Sequence, residues 1–206
     1  TERHPMEFVG DILIQFGQAN RRIGLEMESY YFSALCYEKL RNRLPNTKFV
    51  DASLLVNWIR LIKSDTEIEL IKKAAKIVEK GMTTATNAIQ SGTRQCDAAA
   101  IIYHDLVSGT KEHGGDYPAI VPLLPTGEGT STPHLTWTDK PFKHGELTII
   151  EIAGCYNRYH SPLARTVSLG KPSDKINDIS KVVVEGINAA LDVVKPGIRV
   201  EEIEAA

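Results

Sequence analysis

An amphipathic pattern that begins at Ser64 and continues to Gly92 constrains the fold more than any other feature. Apolar residues recur every three or four positions within it: Ile68, Ile71, Ala75, Val78, Met82, Ala85 and Ile89. This spacing places the apolar side chains on one face of an α-helix. Ser64 and Glu67 form the Ser-x-x-Glu pattern of a capping box, in which each side chain bonds the other residue's backbone N–H. The sequence therefore predicts one long helix that packs on a core by a single face.

Before this helix, residues 12–62 alternate between short strand-like and helix-like segments. Strands are predicted over residues 22–27 and 48–51, with a helix between them that Ser29 caps and Pro45 ends. A further helix is predicted over residues 54–62. Because such alternation is typical of an α/β unit, we predict that residues 1–62 are the tail of an α/β domain.

The part that follows contains helices first and strands later. A second helix is predicted over residues 94–111, strands over 117–124, 147–153 and 159–169, a turn over 154–157, and a last full helix from Asp174 or Asn177. Because these elements do not alternate strictly, residues 63–206 are predicted to form an α+β domain. The chain begins without methionine and ends in what reads as the first turns of a helix. We therefore expect it to be a fragment.

Charge and hydropathy exclude several classes of protein. The chain has 24 Lys and Arg against 26 Asp and Glu, and no basic cluster indicates nucleic-acid binding. No apolar run approaches the roughly 18–20 residues that cross a bilayer. The three cysteines lie far apart and form no Cys-x-x-Cys pair. These observations indicate a reduced, cytoplasmic protein that binds neither nucleic acid nor a membrane.

Glu151 is the acidic residue of a strongly apolar segment, residues 147–153. Burying an unpaired carboxylate is costly, so a carboxyl group in such a strand needs either a partner or a role as an acid or base. The alternative is an edge strand whose Glu151 faces water.

His134 follows a loop of small residues, 126–133. Such loops often carry functional residues, and an imidazole exchanges protons near neutral pH. The alternative is an ordinary exposed histidine. His113, in a predicted turn, and His160, in a predicted strand, are weaker candidates. The sequence has no His-Glu-x-x-His metal motif, no glycine-rich phosphate loop and no serine nucleophile elbow.

Three segments together resemble the pita-bread family, which includes methionine and proline aminopeptidases, prolidase and creatinase. Residues 60–69 resemble the junction between the two domains of that family, and Pro133-His134 resembles the loop with its essential histidine. Residues 151–166 resemble the segment that carries two aspartate metal ligands and ends in Arg-Thr. The resemblance implies that residues 63–206 are the first part of a truncated pita-bread catalytic domain, after the C-terminal part of a creatinase-like N-terminal domain. It also implies a homodimer.

The two aspartate positions of the family carry other residues in this chain. Glu151 stands at the first and Pro162 at the second. Proline has no side-chain donor atom, so a dinuclear metal cluster would lose a ligand. The resemblance is therefore to the metal-free branch, in which creatinase hydrolyses a C–N bond without metal. We expect no metal and no other cofactor.

Within that branch, residues 114–125, 133–137 and 151–156 are similar to the ectoine hydrolases, which open a cyclic amidine to an N-acetylated diaminobutyrate. An amidinium carbon is already electrophilic, and divalent cations beside it would repel it. The resemblance implies a metal-independent hydrolase of C–N bonds in a small cationic molecule. Glu151 would attack the carbon or activate a water, and His134 would carry the proton.

Four further residues are predicted to bind the substrate. Tyr117 and Trp137 are candidates for stacking on a cationic ring, with ordinary core packing as the alternative. Arg165 is a candidate for orienting a carboxylate, with a structural ion pair as the alternative. Asp116 adjoins Tyr117 in the segment that is similar to the ectoine hydrolases.

Two other functions remain open. The first is a metal-dependent Xaa-Pro aminopeptidase or dipeptidase, with Glu151 as one ligand and another group in place of the absent aspartate. The second is a pita-bread relative that has lost catalysis and binds peptides or other proteins.

Overall fold

The first of two units in the chain is built around a pair of parallel strands. A computed structural model describes residues 3–206 and divides them at Ser64, with Asp65–Ala206 as the second unit. The first unit contains helix α1 (Pro5–Gln15), strand β1 (Arg22–Leu25), helix α2 (Ala34–Arg43), strand β2 (Lys48–Asp51) and helix α3 (Leu55–Ile59). Ile23 of β1 lies opposite Phe49 of β2. The predicted alternation of strand and helix is confirmed in this unit.

Helix α2 begins four residues later than its predicted cap implies. Ser33 is the N-cap, and its hydroxyl oxygen accepts a hydrogen bond from the N–H of Cys36 at 3.3 Å. Ser29 lies in a turn, where its carbonyl accepts a hydrogen bond from the N–H of Phe32. Both serines satisfy the preference for an N-cap, so residue type alone could not choose between them.

The second unit packs two helices on a β-hairpin. It contains, in chain order, helix α4 (Asp65–Ala88), helix α5 (Gln95–Ser108), a 3-10 helix (Gly127–Ser131), strand β3 (Leu147–Tyr156), strand β4 (Tyr159–Ser168), helix α6 (Asp174–Val193) and helix α7 (Val200–Glu204). Helix α4 begins directly after Ser64, which confirms the predicted start. Helix α5 ends three residues earlier than predicted, because Gly109 follows it with a φ of 67° and stops the helical path.

The core of this unit lies between α4, α5 and one face of the hairpin. Its most deeply buried members come from all three: Ile77, Ala85, Ile102, Leu106, Ile150 and Ile152 are each at most 1% exposed. Side chains alternate across a strand, so Ile150 and Ile152 face the helices while Glu151 faces the other side. The predicted α4 face is confirmed at Val78, Met82, Ala85 and Ile89, whereas Ile68 near its start is 40% exposed.

Residues 117–124, predicted to be a strand, form no regular strand. The segment makes isolated contacts along β3: Leu123 and Glu151 each donate a backbone hydrogen bond to the other at 3.0 Å, and the N–H of Ile149 donates to the carbonyl of Pro125. Pro118, Pro122 and Pro125 have no N–H to donate, so a continuous ladder cannot form. The strand prediction is wrong for this reason.

The turn of the hairpin is shorter and later than predicted. Strand β3 continues through residues 154–156, and Asn157 and Arg158 form the turn with φ angles of 47° and 64°. Two consecutive residues with positive φ are typical of a type I′ hairpin turn, and Asn tolerates that backbone better than most residues.

Helix α6 begins at Asp174, as predicted, but packs against α7 and no other helix or strand in the described chain. Apolar side chains on α6 and at its C-cap are each more than half exposed: Ile179, Val183, Ile187 and Val194. Among the described helices, none combines the length and apolar character that crossing a bilayer requires.

Candidate active site

A pocket of about 270 Å³ opens on the face of β3 that is turned away from the helices. Its floor comes from the strand, and its walls come from the end of the 3-10 helix and from residues on either side of that helix. The eight lining residues are Pro125, Thr130, Ser131, Thr132, Pro133, His134, Ile149 and Glu151. A concave site with a few convergent polar groups among apolar ones suits a small molecule.

The pocket contains both residues that the sequence analysis singled out as catalytic. Nε2 of His134 lies 3.6 Å from Oε2 of Glu151. That distance is slightly longer than a hydrogen bond, and catalytic hydrogen bonds are often long in the absence of substrate. Residues 17 positions apart in the sequence are therefore close enough to exchange a proton through a bound molecule.

Strand β3 fixes the position of Glu151 from both edges. Its backbone is hydrogen-bonded to Leu123 on one side, and it lies opposite Ala164 of β4 on the other. The side chain is 34% exposed, so it is neither sunk in a core nor free in solvent. Its neighbours Ile150 and Ile152 point to the opposite face, where they join the core beneath the helices.

The loop that carries His134 is held by its own hydroxyl groups. The hydroxyl of Thr130 donates to the carbonyl of Gly127 at 2.7 Å, and that of Ser131 donates to the carbonyl of Glu128 at 2.8 Å. On the far side of His134, the carbonyl of Leu135 accepts from the N–H of Leu124. The histidine itself has a φ of 59°, in the left-handed region that few non-glycine residues adopt.

The described residues do not fit a transition-metal ion. Pro162 lies opposite Ala153 and therefore projects on the same face as Glu151, where a second carboxylate would be needed. No group of three His, Cys, Asp or Glu side chains in residues 3–206 is arranged to hold a metal. Glu151 and His134 supply two donors, whereas protein zinc sites take at least three.

Asp116 and Tyr117 lie at the hairpin turn and do not line the pocket. The guanidinium of Arg158 stacks on the ring of Tyr117, 4.1 Å from its centre. The backbone N–H of Arg158 donates to Oδ2 of Asp116 at 3.1 Å, and the N–H of Asp116 donates to the carbonyl of Cys155. The guanidinium of Arg158 thus occupies the face of Tyr117 on which a cationic ring was predicted to stack.

Trp137 and Arg165 are also outside the pocket lining. Trp137 is partly buried and packs against the core of the second unit. Arg165 lies opposite Ile150, on the sheet face away from Glu151, and its guanidinium donates to the carbonyl of Ala164 at 2.7 Å. It makes no ion pair within residues 3–206.

The weaker histidine candidates contact other parts of the unit. His160 accepts a hydrogen bond at Nε2 from the N–H of Ala119 at 3.0 Å, and so holds the segment before the pocket to β4. The ring of His113 lies 5.2 Å from that of Tyr156. Neither histidine lines the pocket.

Sequence reasoning missed the hydroxyl residues Thr130, Ser131 and Thr132 as pocket residues. Their position immediately before Pro133 and His134 was the available signal.

Comparison with protein families gives a direct match over most of the chain. The metallopeptidase family M24 matches residues 69–206, and the creatinase/prolidase N-terminal domain matches residues 2–62. The chain belongs to the metallopeptidase family M24. The family resemblance inferred from the junction, the histidine loop and residues 151–166 is confirmed.

Among curated relatives, the M24 chain is 44% identical to the ectoine hydrolase of Halomonas elongata, across 100% of this chain and 53% of that protein. It is 31% identical to the Xaa-Pro dipeptidase of Pyrococcus furiosus, across 73% of this chain and 42% of the relative. The chain therefore spans about half the length of the curated relatives that it matches.

Solved structures share its fold. The Xaa-Pro dipeptidase from Bacillus anthracis superposes with a TM-score of 0.86 at 22% identity, over 100% of this chain and 55% of that one. The prolidase from Pyrococcus furiosus gives a TM-score of 0.82 at 26% identity, over 97% and 56%. The predicted α+β fold, a pita-bread catalytic domain preceded by part of a creatinase-like domain, is confirmed.

Proposed function

We propose that the protein hydrolyses a C–N bond in a small cationic molecule without a metal ion, with the ring opening of ectoine as the reaction. The observation that carries the proposal is the pair of Glu151 and His134, 3.6 Å apart in one pocket. On the same sheet face, Pro162 stands where the family has its second aspartate. The 44% identity to an ectoine hydrolase supports the choice of substrate.

The charge of the pocket favours an amidinium ion. Glu151 is the one carboxylate among the eight lining residues, and no lysine or arginine is among them. A carboxylate about 4 Å from a unit positive charge attracts it by about 4 kcal/mol at an effective dielectric constant near 20. The same carboxylate thus binds the amidinium group and points at its electrophilic carbon.

Hydrolysis adds one water molecule, whose oxygen becomes the amide carbonyl oxygen and whose two protons end on the departing nitrogen by way of Glu151 and His134. In one route, Glu151 takes a proton from a water whose oxygen forms a bond with the amidinium carbon. In the other, its own oxygen forms that bond first and water then hydrolyses the covalent intermediate. In both, the carbon–nitrogen bond breaks as His134 delivers a proton to the departing nitrogen. The products from ectoine are the amide and the free amine of a single N-acetylated diaminobutyrate.

Glu151→Gln tests the role of the carboxylate in the full-length protein. The amide keeps the size of the side chain but cannot take a proton or attack the carbon, so turnover of ectoine should fall about 10²–10⁴-fold. Glu128→Gln is the matched control, since Glu128 lies on the same loop but outside the pocket lining. Near-normal turnover by the Glu151 variant would remove that residue from the mechanism.

Exhaustive chelation tests the absence of a metal requirement. We expect the chelated full-length enzyme to retain its activity on ectoine, and elemental analysis to find no stoichiometric transition metal. Complete loss of activity that manganese or cobalt restores would overturn the proposal. About two metal ions per chain, with release of proline from Xaa-Pro peptides, would support the peptidase alternative instead.

We also propose that the protein is a cytoplasmic homodimer. The support is the family resemblance, in which a partner subunit often closes the pocket. Sedimentation of the full-length protein at micromolar concentration should give twice the mass of one chain. Failure of that protein to turn over any amidine, guanidine or peptide would favour the third possibility, a binding protein without catalysis.

A further inference from the structure

The three hydroxyl side chains that line the pocket differ in whether they are free to bind a ligand. The hydroxyl protons of Thr130 and Ser131 are engaged by the carbonyls of Gly127 and Glu128. Thr132 also lines the pocket, but its hydroxyl makes no hydrogen bond with any group in residues 3–206. It is an available donor at the wall of the pocket.

The backbone holds Thr132 in a defined position even though its side chain is unengaged. Its N–H donates to the carbonyl of Gly129 at 3.0 Å, and Pro133 fixes the direction of the chain that follows. The side chain also has few rotamers because Thr is β-branched. Binding a ligand group therefore costs little additional ordering of the protein.

The remaining lining residues provide few other donors. Pro125, Pro133 and Ile149 have apolar side chains, and Glu151 as a carboxylate is an acceptor. His134 can donate from either ring nitrogen, but its Nε2 faces Glu151 and the proposed mechanism uses its proton at the departing nitrogen. Among the lining side chains, Thr132 is thus the donor that the proposed mechanism leaves unused for an acceptor group on the substrate.

We infer that the Thr132 hydroxyl binds a carboxylate of the substrate, so that the preferred substrate is zwitterionic, with its cationic end at Glu151 and its anionic end at Thr132. This inference rests on the proposed function and narrows it. Cationic amidines without a carboxylate would bind Glu151 alone.

The test compares two substrates and two variants of the full-length protein. The substrates are ectoine and the same six-membered cyclic amidine without its carboxylate. Thr132→Val removes the hydroxyl and keeps the branched shape. Thr136→Val is the matched control, because Thr136 lies two residues beyond His134, makes no hydrogen bond in residues 3–206 and does not line the pocket.

For ectoine, Thr132→Val should lower kcat/KM about 10-fold or more, chiefly through KM, because a hydrogen bond to a charged group is lost. For the amidine without a carboxylate, the same variant should leave kcat/KM unchanged. Thr136→Val should change neither value.

Loss of activity on both substrates by the same factor would overturn the inference, since Thr132 would then act on the loop and not on the carboxylate. Unchanged activity on ectoine would also overturn it. If the wild-type protein opens neither amidine, the proposed function is wrong and the inference fails with it. Turnover of both amidines by the wild type therefore separates a failure of the inference from a failure of the proposed function.

Discussion

At the scale of single residues, the site depends on an unusual backbone conformation at His134. A φ of 59° is uncommon outside glycine and costs on the order of 1–3 kcal/mol at functional positions, with asparagine, aspartate and histidine among the more tolerant residues. The neighbouring contacts hold it: Pro133 precedes it, and the carbonyl of Leu135 is bonded to Leu124. The structure thus keeps a strained residue where its ring faces Glu151.

His134→Asn separates the chemistry of this residue from its backbone. Asparagine tolerates positive φ, so we expect the thermal midpoint of the full-length protein to change by no more than a few degrees. It cannot carry a proton, so turnover of ectoine should fall about 10²–10⁴-fold. The measurements are a melting curve and steady-state kinetics, with His144→Asn as a remote control. Wild-type turnover in His134→Asn would exclude a proton-transfer role for the histidine.

At the scale of elements, the sequence predicted what depends on local periodicity and composition. The long helix α4 and most of β3 and β4 follow from their patterns. Gly154 was placed in a turn because Gly, Cys, Tyr and Asn in succession resemble one. It is instead a strand residue, and a Cβ there would overlap backbone atoms of Ala74 and Val78 on α4. A close approach between distant segments leaves no local signal beyond the glycine itself.

The residues of the candidate site were predictable only where residue type and local context single them out. Glu151 and His134 were identified by residue type in an unusual context, and they line one pocket. The sheet face of Arg165 depends on the register of β3 and β4, and the partner of Tyr117 depends on the position of the turn. A short stretch of sequence determines neither feature, because shifting the pairing of the two strands by one residue moves every side chain to the other face of the sheet.

Gly154→Ala should therefore destabilise the second unit. The added methyl group meets backbone rather than a flexible side chain, so β3 and α4 must separate, at a cost of about 1–3 kcal/mol or more. Gly186→Ala in α6 is the matched control, because nothing lies within 4 Å of its Cβ position and alanine favours a helix by about 1 kcal/mol. Urea unfolding should show a lower free energy of unfolding for Gly154→Ala and no loss for Gly186→Ala. A Gly154→Ala variant as stable as Gly186→Ala would contradict the close packing at Gly154.

Helices α4 and α5 are also joined by a polar contact at Asp105. The Thr84 hydroxyl donates a hydrogen bond to Oδ2 of Asp105 at 2.5 Å. This hydrogen bond is the main reason why the pKa of Asp105 lies below its usual value. His104 and Lys80 lower that pKa further, whereas burial raises it. A carboxyl group whose pKa is lower in the folded state than in the unfolded state stabilises the protein fully at pH values above the unfolded-state pKa, which is about 3.9 for Asp. That stabilisation is lost as the pH falls through the pKa that Asp105 has in the folded state.

Asp105→Asn should lower the free energy of unfolding by about 1–3 kcal/mol at pH 7, because the charged hydrogen bond from Thr84 is weakened and the ion pair with Lys80 is lost. The difference from the wild type should shrink as the pH falls below about 4, where the wild-type carboxyl becomes protonated. Urea unfolding at several pH values measures it. Asp97→Asn, at an exposed pair with Arg94, should have a smaller effect. A difference that persists unchanged at low pH would show that the contact does not depend on charge.

At the scale of the whole chain, the two longest described helices, α4 and α6, differ in how much of their surface is packed. Helix α4 packs against α5, β3 and β4, whereas α6 packs against α7 alone among the described elements. Most helix stability in proteins comes from the packing of an amphipathic face rather than from the helix itself. The apolar side chains of α6 are exposed along its length: Ile179, Val182, Val183, Val184, Ile187 and Leu191.

Hydrogen exchange of the 206-residue chain should reveal this difference directly. Amides in the middle of α4 should exchange at least about 100-fold more slowly than those in the middle of α6, because opening α4 disrupts the core while opening α6 does not. The experiment is repeated at two protein concentrations. Equal protection of both helices at low concentration would show that α6 is packed within one chain. Protection of α6 that increases with concentration would show that a second chain covers its apolar face, and Val183→Glu should then abolish that increase while leaving the exchange of α4 unchanged.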